Sequence, residues 1–271
     1  AHEELERHYQ AQVGADRLIL AVAGDFQTAH MKAALERAFA GWRKAGAPLA
    51  PAPPPERERA RRVLLVDAPE STQSYFWAGN VSVPRSYAPR PPLDVANVLF
   101  GGRFTSMLNS ELRVRTGLSY GARSQLERFA QGGLWQMSSF TQTDKTLEAI
   151  DLALTTLDRL HATQFEPDVL QSGKAYVQGQ YPLALETAAQ WAAQLADLEF
   201  YGLERRDIDE YGAALARVSA ADTSRAIDAA IPRSDAVVLV VIGQADEIRE
   251  GLRKYGPVTE MALSAPTFAA P

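Results

Sequence analysis

The chain has 271 residues, 46% of them apolar, and a formal net charge of −5. That supports one large core or two modest ones, and the acidic balance argues against nucleic acid or an anionic membrane surface as the main partner. There is no Cys, which excludes disulfides and Cys-based zinc sites and leaves periplasm and cytoplasm both open; no apolar run approaches the roughly 20 residues of a membrane span.

Residues 1–46 read as helix, strand, helix. Residues 17–23 (Arg17-Leu18-Ile19-Leu20-Ala21-Val22-Ala23) form a continuous apolar run of the kind buried in a sheet, and Met31, Leu35, Ala38 and Phe39 recur at helical spacing. Residues 47–61 hold Pro48, Pro51, Pro53, Pro54 and Pro55 and read as a stiff, extended linker.

A second unit runs from 62 to 255. Strands are expected at 63–66 and 73–83. Pro91-Pro92 opens a helix reaching about Phe100, and a further helix spans 104–115. Residues 119–129 and 134–141 form a hairpin around Gln131-Gly132-Gly133. An amphipathic helix covers 147–160 with Thr143 or Asp144 as its cap. Pro167 starts another helix, Pro182 interrupts it, and a long helix covers 183–201. Ser219 with Asp222 three residues on resembles a capping box. A last strand is expected at 236–242, a last helix at 246–255, and a loosely held tail at 256–271.

Residues 16–25 can be laid over residues 235–244: both read Asp, apolar strand, Gly, then amphipathic helix. The offset is about one domain. Residues 1–46 are therefore expected to be the C-terminal tail of a preceding domain similar to 62–255. Residues 18–23 then form an orphan strand that must find an edge, in the complete domain or in a second copy of the chain.

The richest stretch for chemistry runs from Gly101-Gly102 to Tyr120. It reads as a helix that opens after a glycine pair, ends at Gly117 and feeds a strand. Arg113 and Tyr120 lie on either side of that turn, which would bring a guanidinium and a phenol to one rim of a sheet. Such donors suit a peptide carbonyl or a developing oxyanion. Taken singly, Arg113 reads as a cation at a helix C-terminus and Tyr120 as a half-buried strand aromatic.

Leu99-Phe100-Gly101-Gly102 through Leu112-Arg113 and Gly117-Leu118-Ser119-Tyr120 resembles the second half of the pitrilysin-type (M16) zinc peptidases. Arg103 stands where a third Gly is common in that family, and Met107 where Arg is common. The resemblance implies an α+β domain: an antiparallel sheet of about six strands with helices packed on one face. It implies a clamshell metallopeptidase that hydrolyses peptides in a closed chamber. Arg113 and Tyr120 become a substrate pair, and Gly101 and Gly102 a substrate loop. In that family zinc is held by His-x-x-Glu-His in the other half.

This chain has only His2, His8, His30 and His161, and no His-x-x-Glu-His. It is therefore expected to bind no metal and no cofactor and to be inactive alone. The implied partners are a zinc-binding half, upstream or on another chain, and a peptide substrate. Two alternatives stay open: a non-catalytic core subunit of a larger assembly, and a serine hydrolase using Ser119 of Gly117-Leu118-Ser119-Tyr120-Gly121. The second lacks the strand–turn–helix order that motif needs.

Overall fold

The computed structural model describes residues 2–50 and 52–265. They divide into two compact units, one formed from residues 54–179 with 210–265 and the other from 1–53 with 180–209.

The larger unit is built on a six-stranded sheet. Its strands are β1 (Arg62–Asp67), β2 (Gln73–Ser82), β3 (Ala122–Arg128), β4 (Gly133–Gln142), β5 (Val238–Gly243) and β6 (Val258–Ala262), in the order β3-β4-β2-β5-β1-β6. The expected strand number is met, but the sheet is mixed. β2, β3 and β4 pair antiparallel, as does β2 with β5, whereas β1 pairs parallel with both β5 and β6. The reason is connectivity: the helix Ala245–Leu252 returns the chain to the starting end of the sheet between β5 and β6, which forces parallel strands. β6 also corrects the loose tail. Val63 N–H donates to the Pro257 carbonyl at 2.9 Å, and Arg249 clamps Glu260 through two bonds of 2.6 and 2.7 Å. The part of that tail from 266 to 271 lies outside the described residues.

Alternation along the strands makes one face apolar. Phe76 and Ala78 of β2, Trp135 and Met137 of β4 and Leu239 and Val241 of β5 are all buried. Helices cover this face. Phe100 stacks on Trp135 with ring centroids 5.5 Å apart, and Trp135 Nε1 donates to Asn97 Oδ1 at 3.2 Å. Thr146 Oγ1 donates to Ser74 Oγ at 2.8 Å, fixing the start of the helix Thr146–Ala162. That start is a single 3₁₀ turn at Thr143–Lys145, and neither Thr143 nor Asp144 caps the helix. On the opposite face Tyr75 is exposed and Trp77 and Phe140 are half-buried.

The helix expected at 104–115 begins at Met107 and widens into a π-helical turn over Ser110–Arg115. The capping box at Ser219 forms as expected, and the Ser219 hydroxyl holds the Asp222 carboxyl below its usual range. Pro182 interrupts the chain as expected, and the following helix starts at Ala188 behind a capping box at Thr187.

In the smaller unit, helices His2–Gln12 and Thr28–Phe39 bury no residue. The strand expected at 17–23 does not form: residues 18–23 run without sheet pairing, and Leu18, Ile19 and Leu20 are exposed. The composition asks for a strand, but no strand pairs with this run among the described residues. Asp16 accepts from the Ala45 N–H at 2.7 Å, which lowers its pKa.

Trp135→Ala removes the largest buried side chain of the sheet. It should lower unfolding free energy by about 3–5 kcal/mol, read as a shift in the urea midpoint.

Candidate functional site

The local sequence explains how Arg113 and Tyr120 meet. Leu108 and Leu112 lie one turn apart and are buried, so Arg113 leaves the helix beside the buried stripe. Glu111 is also buried, paired with Arg159 Nη2 at 2.7 Å and Arg115 Nε at 3.2 Å, which ties this helix to Thr146–Ala162. The helix is stopped by Thr116, whose Oγ1 donates to the carbonyls of Glu111 and Leu112 at 2.9 and 3.2 Å. Gly117 then takes φ +66°. A Cβ there would touch nothing, so the left-handed backbone alone calls for glycine.

The following residues are pinned. Ser119 N–H donates to the Leu112 carbonyl at 3.0 Å, and Thr141 Oγ1 donates to the Leu118 carbonyl at 2.6 Å. Ser119 Oγ donates to the Gly121 carbonyl at 2.8 Å and receives a bond from Ser139 Oγ at 2.9 Å. Tyr120 is thereby turned outward, 75% exposed. Its ring lies 4.4 Å from the Arg113 guanidinium carbon, and the Phe104 ring lies 4.9 Å from it. Both rings thus lie within cation–π reach of the guanidinium. No carboxylate or other acceptor pairs with its N–H groups among the described residues. The Tyr120 hydroxyl likewise has no partner among them.

Gly101 and Gly102 line a groove of about 720 Å³ together with Phe104, Tyr75, Trp77 and Phe140. Gly101 is buried, and a Cβ there would come 2.5 Å from the Ser124 amide nitrogen. Its absent side chain lets the helix end approach β3. Gly102 is exposed and less constrained. Phe140 is shared with a second hollow of about 370 Å³, which includes Tyr120. The sequence therefore brings Arg113 and Tyr120 together, with the glycine pair in the adjoining groove.

Two contributors were not singled out from sequence. Phe104 supplies the second ring on Arg113. Asn109, buried, donates to the Phe104 carbonyl at 2.7 Å and accepts from the Ala122 N–H at 3.2 Å. It joins the loop carrying Phe104 to the start of β3. The sequence signal is spacing: Asn109 falls on the helix face set by Leu108 and Leu112.

The serine-hydrolase alternative finds no base. The Ser119 hydroxyl is engaged with Gly121 and Ser139, and His161 is bonded to Asp228 and the Pro232 carbonyl. No titratable group stands within hydrogen-bond reach of Ser119 among the described residues.

A family model described as the peptidase M16 inactive domain matches residues 1–176. The chain belongs to this family. Among curated proteins, it is 23% identical over 224 residues to an uncharacterized zinc protease of Streptomyces coelicolor, covering 81% of this chain and 49% of that protein. It is 24% identical over 187 residues to the "Probable inactive metalloprotease YmfF" of Bacillus subtilis, covering 69% and 43%. Among solved structures, a peptidase M16 inactive domain from Pseudomonas fluorescens aligns with TM-score 0.73 at 19% identity, covering 81% of this chain and 52% of that one. The M16 inactive-domain fold is thereby shown. The chain spans about half the length of the curated relatives it matches.

The described residues of this inactive domain do not fit the zinc that two of its relatives' names imply. No group of three or more His, Cys, Asp or Glu side chains is arranged to hold a metal among the described residues. His2 pairs in the open with Glu6 at 3.2 Å, and His161 is tied to Asp228. No helix among the described residues is long and apolar enough to cross a membrane.

Gly101→Ala should destabilise the M16 inactive domain by about 1–3 kcal/mol through overpacking against Ser124. Gly121→Ala, where a Cβ meets nothing, should cost less. Thermal melts of the two variants make the comparison.

Proposed function

We propose that this chain is the zinc-less, substrate-binding half of an M16-type zinc metalloendopeptidase. The observation that carries this reading is the pairing of half-buried Arg113 with exposed Tyr120 across the turn at Gly117, with their donors unpaired among the described residues. A guanidinium lying over a phenol ring brings two kinds of hydrogen-bond donor to one patch of the surface. There they would hold a peptide main chain and steady the negative charge that develops on a carbonyl oxygen under attack. The base and the metal belong to the other half, either upstream on the same polypeptide or on a separate chain.

Residues 1–46 fit the same reading as the tail of that preceding domain, with 47–61 as linker. Their pattern matches that of β5, which is paired on both sides in this domain. The run 18–23, unpaired and exposed at Leu18, Ile19 and Leu20, would take the corresponding place in the sheet of the other half. Dimerisation through this run is the competing use of the same surface.

In the enzyme reconstituted with its zinc-bearing half, Tyr120→Phe should lower kcat about 100-fold with little change in KM and none in melting temperature. An unchanged kcat removes Tyr120 from the mechanism. The isolated chain should take up no stoichiometric zinc by elemental analysis and cleave no peptide; chelator-sensitive proteolysis by this chain alone would overturn the assignment. Amides of residues 18–23 should exchange with deuterium within seconds in the isolated chain and become protected on adding the zinc-bearing half. Protection that depends only on the chain's own concentration would point to self-association.

A further inference from the structure

We infer that the groove beside Arg113 and Tyr120 selects peptide segments in which a large aromatic side chain is followed by a carboxylate. The inference rests on the peptide-binding reading above and adds which peptides are bound.

Sheet register builds the groove floor. Arg123 of β3, Ser138 of β4 and Trp77 of β2 face one another across three strands. Ser138 is the small member, so a hollow opens between the guanidinium and the indole. The adjoining cross-strand pair, Tyr75 and Phe140, stacks at 5.5 Å between centroids with 26° between planes and forms one wall. At about 720 Å³ the hollow has room for one aromatic side chain and the backbone carrying it. Aromatic walls favour an aromatic guest through offset or edge packing, about 0.5–1.5 kcal/mol beyond area burial.

Charge supplies the second half of the preference. Two guanidinium groups, Arg103 and Arg123, line the groove, and no carboxylate does. Arg123 is exposed and has no acidic partner among the described residues. Arg103 Nη1 donates to Ser172 Oγ at 2.8 Å, while its Nε is buried with no acceptor among the described residues. The neighbouring hollows lack this surplus. In the one containing Tyr120, Lys145 is already paired with Glu148 at 3.1 Å. The next, which shares Gln73 and Gln142 with it, carries Asp144 and Glu247 and no cation. The aromatic groove thus carries a cationic surplus, next to the likewise unpaired Arg113, in a chain whose net charge is −5. A carboxylate beside the aromatic guest meets both guanidiniums, the planar donors best matched to it.

The test uses the 271-residue chain and fluorescein-labelled decapeptides of Gly, Ser and Ala that differ at two central positions: Phe-Glu, Phe-Lys and Ala-Glu. Fluorescence anisotropy should rank Phe-Glu tightest, about five- to tenfold over Phe-Lys, with the gap narrowing at about 0.5 M salt. Arg123→Glu should reverse the order of Phe-Glu and Phe-Lys. Ser138→Phe, which fills the hollow, should erase the advantage of Phe-Glu over Ala-Glu. Equal binding of all three peptides, unaltered by either variant, overturns the preference and leaves the peptide-binding reading intact. No binding of any peptide overturns both.

Discussion

The site depends on how the chain reverses between a helix and a strand over residues 116–121. Hydroxyl groups do most of this. Thr116 caps the helix carbonyls, Thr141 holds Leu118 from the neighbouring strand, and Ser139 and Ser119 secure Gly121. A loop held by backbone bonds alone would have to sacrifice sheet or helix pairing to gain the same rigidity. Here side chains from β4 reach across, so the turn is fixed by the sheet itself. Tyr120 inherits that fixity while remaining in solvent, a combination that suits a group needed in one orientation.

The other half of the pair is fixed by burial. Glu111 sits between Arg159 and Arg115, where a carboxylate taken from water needs compensation. It locks the rotation of the helix that delivers Arg113. Phe104 then backs the guanidinium, and Asn109 ties its loop to β3. The pair therefore stands on two rigid elements, each anchored to the core by a different kind of interaction.

Much of this was legible in sequence, and the exceptions have physical reasons. Strands β1 to β5 follow from apolar runs and alternation, and the turn follows from Gly117. The capping boxes at Ser219 and Thr187 rest on local bonds, and Ser219 was read directly. β6 escaped because Val258–Ala262 has neither a continuous apolar run nor clean alternation; its place is set by β1 and by the Arg249–Glu260 pair, both remote in sequence. Residues 18–23 misled in the opposite direction. Their composition is that of a central strand, but a strand exists only with a neighbour. Arg113 and Tyr120 were readable as a pair because a seven-residue spacing across one glycine is local. The row of Arg123, Ser138 and Trp77 was not, since it depends on the register of three strands.

The placement of β1 carries a consequence for how the domain is made. Its partners on both sides, β5 and β6, lie more than 170 residues later in the chain. During synthesis the first strand of this sheet must wait for its last two, with its hydrogen-bonding edges unsatisfied and its apolar face uncovered. Such non-local pairing makes folding slow and leaves a sticky intermediate. The stretch just ahead of β1, dense in proline and arginine, is itself a poor strand former and cannot lengthen that waiting edge.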